Sequence, residues 1–122
     1  MGDYAERNGL YGVDSLSLNI KFSEYWDKFR DGVEFTTIRS YSPEKSSYYH
    51  GTVGMKYEII VKGQSIGNAV LNSIEDTVGS KIDRILLSND VKIGGKVNLV
   101  WFYRIVNLGN VLLLKFAWNK DD

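Results

Sequence analysis

A guanidinium, two hydroxyls and a carboxylate fall within six residues in the run Val33-Glu34-Phe35-Thr36-Thr37-Ile38-Arg39-Ser40-Tyr41. The planar fork of Arg39 suits a phosphate or the edge of a base. Its structural alternative is an ion pair with Glu34 or with an acid just upstream. Tyr41, Tyr48 and Tyr49 stand in or beside a polar stretch that also carries Lys45 and His50, the only histidine of the chain. Flat rings stack on bases and cations hold phosphates, so Arg39, Tyr41, Tyr48, Tyr49 and His50 form a candidate set for binding RNA or a nucleotide-like ligand. His50 is also a candidate general base, its ordinary alternative being exposure on a loop.

Other chemistries are poorly served. With no cysteine and one histidine, thiolate zinc sites, iron–sulfur clusters, Cys nucleophiles and histidine triads are excluded, and neither a metal nor a cofactor is expected. Neither G-x-G-x-x-G nor G-x-x-x-x-G-K-[ST] occurs, which removes the sequence case for a dinucleotide fold or a P-loop. Ser42, Ser46 and Ser47 lie near His50 without a G-x-S-x-G elbow. Fifteen Lys+Arg balance fifteen Asp+Glu, so no whole-molecule field draws a polyanion and any nucleic-acid contact must come from a local patch. No apolar run approaches the length of a membrane span, and Asp3, Glu6 and Arg7 do not lead into a secretory h-region. A cytoplasmic setting fits.

The 122 residues are enough for one domain with its own core. Phe22, Tyr25, Trp26 and Phe29 recur at i, i+3, i+4 and i+7, which predicts an amphipathic helix with Ser23 as N-cap and Gly32 as terminator. Val33 to Tyr41 is β-branched and aromatic, a strand. Ser42-Pro43 stops it, and a loop runs to about Gly54. Met55–Lys62 and Ser65–Ile74 read as a hairpin about Gly63-Gln64. Ile74, Val78, Ile82, Ile85 and Leu86 share a helical face broken near Gly79. Val91–Ile93 is short and extended, Gly94-Gly95 turns, and two long strands flank Asn107–Asn110 as a terminal hairpin. Trp26, Phe29, Trp101, Tyr103, Phe116 and Trp118 read mainly as core. The expectation is an α+β fold: a small, mostly antiparallel barrel of five to six strands with two or more helices at its side.

The stretch from Phe22 through Phe29-Arg30-Asp31-Gly32-Val33-Glu34-Phe35-Thr36-Thr37-Ile38-Arg39 resembles the ASCH family, a branch of the PUA-like β-barrels. A short helix there runs into a G-x-K-x-x-T-x-R strand. Gly32, Thr37 and Arg39 stand at its glycine, threonine and arginine, and Glu34 at its lysine. Val53-Gly54-Met55-Lys56 and Gly67-Asn68-Ala69-Val70 look like later family turns and strands, and Val111–Trp118 like the closing strand. The resemblance implies a PUA-like domain over residues 20–122 behind an irregular arm at 1–19. It also implies a cleft between barrel and helices that takes RNA or a modified nucleoside, with the motif strand as its wall. Some members deacetylate an acetylated cytidine or cut RNA, using the motif lysine and threonine and a later glutamate. A carboxylate at Glu34 raises the cost of nearby negative charge and can serve at best as a base. The expectation is therefore a binding module. Its alternative is a hydrolase for a modified nucleoside or RNA, with Thr37 as nucleophile and Glu34 or His50 as base.

Overall fold

The computed structural model describes residues 18–120. Among them the elements run β1 (Leu18–Phe22), a 3-10 turn (Asp27–Asp31), β2 (Glu34–Ser40), α1 (Pro43–Gly51), β3 (Lys56–Val61), β4 (Gln64–Val78), a second 3-10 turn (Gly79–Lys81), α2 (Arg84–Asp90), β5 (Lys92–Ile93), β6 (Lys96–Val97), α3 (Leu99–Val106) and β7 (Asn110–Trp118). The fold is α+β. One five-stranded sheet has the order β1-β3-β4-β7-β2, and β5 and β6 form a separate ribbon about Gly94-Gly95. Every pairing in the main sheet is antiparallel except β1 with β3. Most of the arm expected at 1–19 lies outside the described residues, and Leu18 and Asn19 already belong to β1.

The sheet curls. Period-two alternation sends Phe35, Thr37 and Arg39 of β2 to one face, opposite Phe116, Leu114 and Leu112 of β7. Phe22 of β1 and Phe35 of β2 lie on the two edge strands, yet their rings meet edge-on at 6.1 Å. Register shifts at Ile59/Ile60 and Leu71/Ser73 add the local bends that such curvature needs. Tyr57, Ile59, Leu71, Leu112, Leu114 and Phe116 are fully buried and form the centre of the core.

Several elements differ from the sequence reading. Phe22, Trp26 and Phe29 do share one buried cluster, but Phe22 ends β1 and only Asp27–Asp31 make a 3-10 turn, so no helix spans Phe22–Gly32. The stretch after Ser42 is α1, not a loop: the Ser42 side chain accepts from the Lys45 amide at 3.0 Å and Pro43 occupies the first turn, where its missing N–H is harmless. The hairpin turns on Lys62-Gly63, both at positive φ (50° and 83°), one residue earlier than Gly63-Gln64. Strand β4 continues through Ile74–Val78 because β7 pairs with it there, and the helix that follows is the shorter α2, capped by the Asp83 carboxylate. Leu99–Val106 is helical. Asn98 caps α3 by accepting from the Trp101 amide, so there is no terminal hairpin, and β7 pairs instead with β2 and β4.

Tyr57 fastens α1 to the sheet. Its hydroxyl lies 2.6 Å from Thr52 Oγ1, and the Tyr49 ring stacks near it at 6.3 Å. Burial pushes the Tyr57 phenol well above its usual range, so the folded chain holds this proton where an unfolded tyrosine, with a pKa of about 10, gives it up. That contribution to stability is intact below pH 10 and falls as pH rises past it. Tyr57→Phe is expected to cost about 1 kcal/mol at pH 7 and to soften the alkaline loss. Denaturant unfolding at pH 7 and pH 11 checks this, and parallel losses in wild type and variant would contradict it.

Candidate functional site

Five cations and a single carboxylate line one cavity of about 320 Å³: Lys21, Lys28, Arg39, Lys45 and Arg104 with Asp90. Its walls come from β1, β2 and the three helices, with Trp26, Trp101 and Thr37 completing the surface used below. The volume falls at the lower end of the roughly 300–1,000 Å³ range of small-molecule sites.

Arg39 reaches this cavity because alternation along β2 places it on the inner face, two residues beyond Thr37. Its Nη2 donates to the Lys21 carbonyl of β1 at 3.0 Å, and its guanidinium lies 4.8 Å from the centre of the Phe22 ring. A side chain of one edge strand thus grips the backbone of the other. No ion pair joins Arg39 to Glu34 or to any other acid among the described residues, so the group stays a cation at the cavity wall. Burial lowers its pKa from the ordinary arginine value, opposed by the charges of Tyr49 and Asp90, and arginine stays protonated all the same. Thr37 is 4% exposed and has no hydrogen-bond partner for its side chain among the described residues.

Lys28 and Asp90 form the most constrained polar group of the molecule. Lys28 Nζ lies 3.0 Å from Asp90 Oδ1 and donates to the Thr36 carbonyl at 2.7 Å, while Thr36 Oγ1 donates to the same Oδ1 at 2.7 Å. The side chains are 9% and 4% exposed. Burial pulls the Lys28 pKa below the usual lysine range, and the carboxylate works against that. Position follows from the turn: Asp27 accepts from the amides of Gly95 (2.7 Å) and Gly94 (3.0 Å), which fixes the 3-10 turn on the β5–β6 ribbon and aims Lys28 at α2. Those amide bonds, the Gly95 one first, hold the Asp27 carboxyl below its usual range. At the α3 side, Trp101 meets Trp26 edge-on at 6.0 Å and carries the Arg104 guanidinium at 4.8 Å from its ring.

The other candidate residues are placed elsewhere. Tyr48, Tyr49 and His50 sit on α1 and are not among the cavity's lining residues. Tyr48 and Tyr49 pack about Tyr57, and His50 Nε2 lies 2.9 Å from Asp76 Oδ1 on β4. Tyr41 borders a separate pocket with Asp76 and Asn110. Glu34 alternates to the face opposite Thr37, lies 3.9 Å from Lys115 Nζ, and lines a second cavity of about 410 Å³ that Lys28 and Asp90 also border. Thr37 therefore has neither Glu34 nor His50 lining its cavity. Sequence reasoning noted Lys45 as a nearby cation and read Trp101 as core, but passed over Lys21, Lys28, Asp90 and Arg104 as site residues. Asn98 four residues before Phe102, with Trp101, Ile105 and Leu108 at helical spacing, was the signal that could have put Trp101 and Arg104 on a helix.

Among the described residues no helix is long and apolar enough to cross a membrane, and no group of three His, Asp or Glu side chains is placed to hold a metal ion. Compared with protein-family models, with curated proteins and with solved structures, the chain matches none.

Proposed function

We propose that the chain is a PUA-like ASCH module that binds RNA or a nucleotide-like ligand in the Arg39 cavity. The observation that carries this reading is the Arg39 guanidinium on the wall of a hollow holding five cations, one carboxylate and two tryptophans. Phosphate seeks cations and a heterocycle seeks aromatic rings, and the lining of this one cavity supplies both. Support for a barrel-like arrangement comes from Arg39 bridging the two edge strands, and support for the cleft from its position between sheet and helices. A hydrolytic reading on Thr37 has less behind it, because its two base candidates line other surfaces.

Lys28 is committed to Asp90, which leaves Lys21, Arg39, Lys45 and Arg104 to meet phosphates. With a slope of about −0.7 per neutralised phosphate for single strands, log affinity should fall against log salt with a slope of about −1.5 to −3. Arg39→Ala is expected to weaken a short single-stranded RNA by at least about tenfold and to flatten that slope by about 0.7, with Arg39→Lys between the two. Fluorescence titration at three salt concentrations measures both quantities. Unchanged affinity in Arg39→Ala, or no saturable binding by the wild type, would remove the proposal.

A further inference from the structure

We propose that Asp90 sets the base preference of this cavity, favouring nucleotides whose base carries an exocyclic amino group over those with uracil; this rests on the nucleotide-binding reading above. A basic cavity for phosphate alone has no use for a carboxylate, which repels the anion it collects. Asp90 is nevertheless present as the one acid of the lining, and it is 4% exposed. Its Oδ1 is occupied twice, by Lys28 Nζ and Thr36 Oγ1. Its Oδ2 accepts from no described residue, and a carboxylate has about four lone-pair sites to fill. Thr37, likewise 4% exposed and unpartnered among the described residues, lines the same cavity.

Neither Asp90 Oδ2 nor Thr37 Oγ1 is among the side-chain atoms shut away from solvent without a partner, so both open to the cavity with bonding capacity to spare. A ligand seated there can replace the water that would otherwise meet them. The carboxylate accepts only, so the ligand must donate there, and the hydroxyl can serve an acceptor beside that donor. Cytosine, adenine and guanine each carry an exocyclic amine that can donate to the carboxylate, whereas the one Watson–Crick-edge donor of uracil, its ring N3–H, is flanked on both sides by carbonyl oxygens that come up against the acid. A carbonyl set against the Asp90 carboxylate leaves both lone pairs facing each other without a proton between them. The same ligand's phosphate then turns toward Arg39, Lys45 and Arg104, away from the acid.

Calorimetric titration of the wild-type protein with AMP, GMP, CMP and UMP tests the preference directly. The amino-bearing nucleotides are expected to bind about tenfold more tightly than UMP, and inorganic phosphate more weakly than any of them. Asp90→Asn, which keeps the shape and offers a donor as well as an acceptor, should reduce the preference to about twofold or less. Because that variant also leaves Lys28 without its counter-charge, the double variant Lys28→Gln/Asp90→Asn is measured beside it and should lose the preference in the same way. Equal binding of UMP and CMP to the wild type, with RNA still bound, overturns the role of Asp90 and leaves the binding reading standing. Failure of the nucleotides and of RNA oligomers together removes both.

Discussion

Gly79→Ala is expected to cost about 4 kcal/mol or more, enough to lower the melting temperature by roughly 15 °C or beyond in a domain of this size. A Cβ on Gly79 would stand 2.0 Å from the Ile105 carbonyl oxygen, 3.1 Å from its carbon and 3.4 Å from the Val106 oxygen. These are backbone atoms of α3, so no side-chain rotation relieves the clash. Either the 3-10 turn at Gly79–Lys81 or the C-terminal turn of α3 must move, and Gly79 is itself buried and donates to the Gly109 carbonyl at 2.8 Å. Overpacking inside a filled core typically costs about 1–3 kcal/mol when side chains absorb it, and this contact lacks that outlet. Because α3 carries Trp101, Arg104 and Ile105 into the cavity wall, RNA binding should fall along with stability. Thermal unfolding of the two proteins decides it: a shift of less than about 4 °C would mean the turn and α3 are not packed this closely.

Gly79 also shows why parts of the fold could be read from sequence and parts could not. Its position near a break in the Ile74–Leu86 pattern was legible, but its neighbour Ile105 is distant in the chain and no local signal connects them. Strands β2 and β3 were legible because β-branched and aromatic residues alternate there, with one face of each turned to the core, although β2 is an edge strand and β3 an inner one. The Phe22–Phe29 segment misleads for a physical reason. Phe22, Trp26 and Phe29 of that spacing share burial while Tyr25 is exposed, and a strand end, an extended Trp26 and a 3-10 turn bring the three together without a helix. Ser42-Pro43 is ambiguous in the same sense, since proline ends a strand and also suits the first turn of a helix. For Val97–Val106, β-branched and aromatic content outweighs the Asn98 cap until tertiary packing decides. At the site, Arg39 was legible as a cation ending a β-branched strand, and Thr37 from the resemblance of that strand to the ASCH motif. Asp90 was not, because it lies 51 residues beyond Arg39 and only the approach of α2 to β2 brings it there.

Asp90→Ala carries the second large effect, about 3–5 kcal/mol of lost stability, since it strips the counter-charge from an ammonium whose side chain is only 9% exposed. Lys28 is held by the turn that Asp27 anchors and by the Thr36 carbonyl, so it stays buried when its partner is gone. The variant can respond in one other way, by shedding the Lys28 proton. Burial already draws this lysine's pKa down in the folded chain, and without the carboxylate nothing opposes that pull. An unfolded lysine keeps its proton up to about pH 10.4, so the unfolded state binds more protons across the interval below that value and stability must rise with pH there. Asp90→Ala should therefore recover part of its deficit between pH 7 and pH 9.5, a range that ends before Tyr57 begins to weaken the fold. Lys28→Met/Asp90→Leu, which removes both charges and keeps the volume, should restore most of the stability and show no such slope. Urea unfolding of the three proteins across that range tests the argument. A deficit under about 1 kcal/mol, or one that stays constant with pH, would show that Lys28 escapes to solvent and that the pair does not form the cavity floor on which the base preference depends.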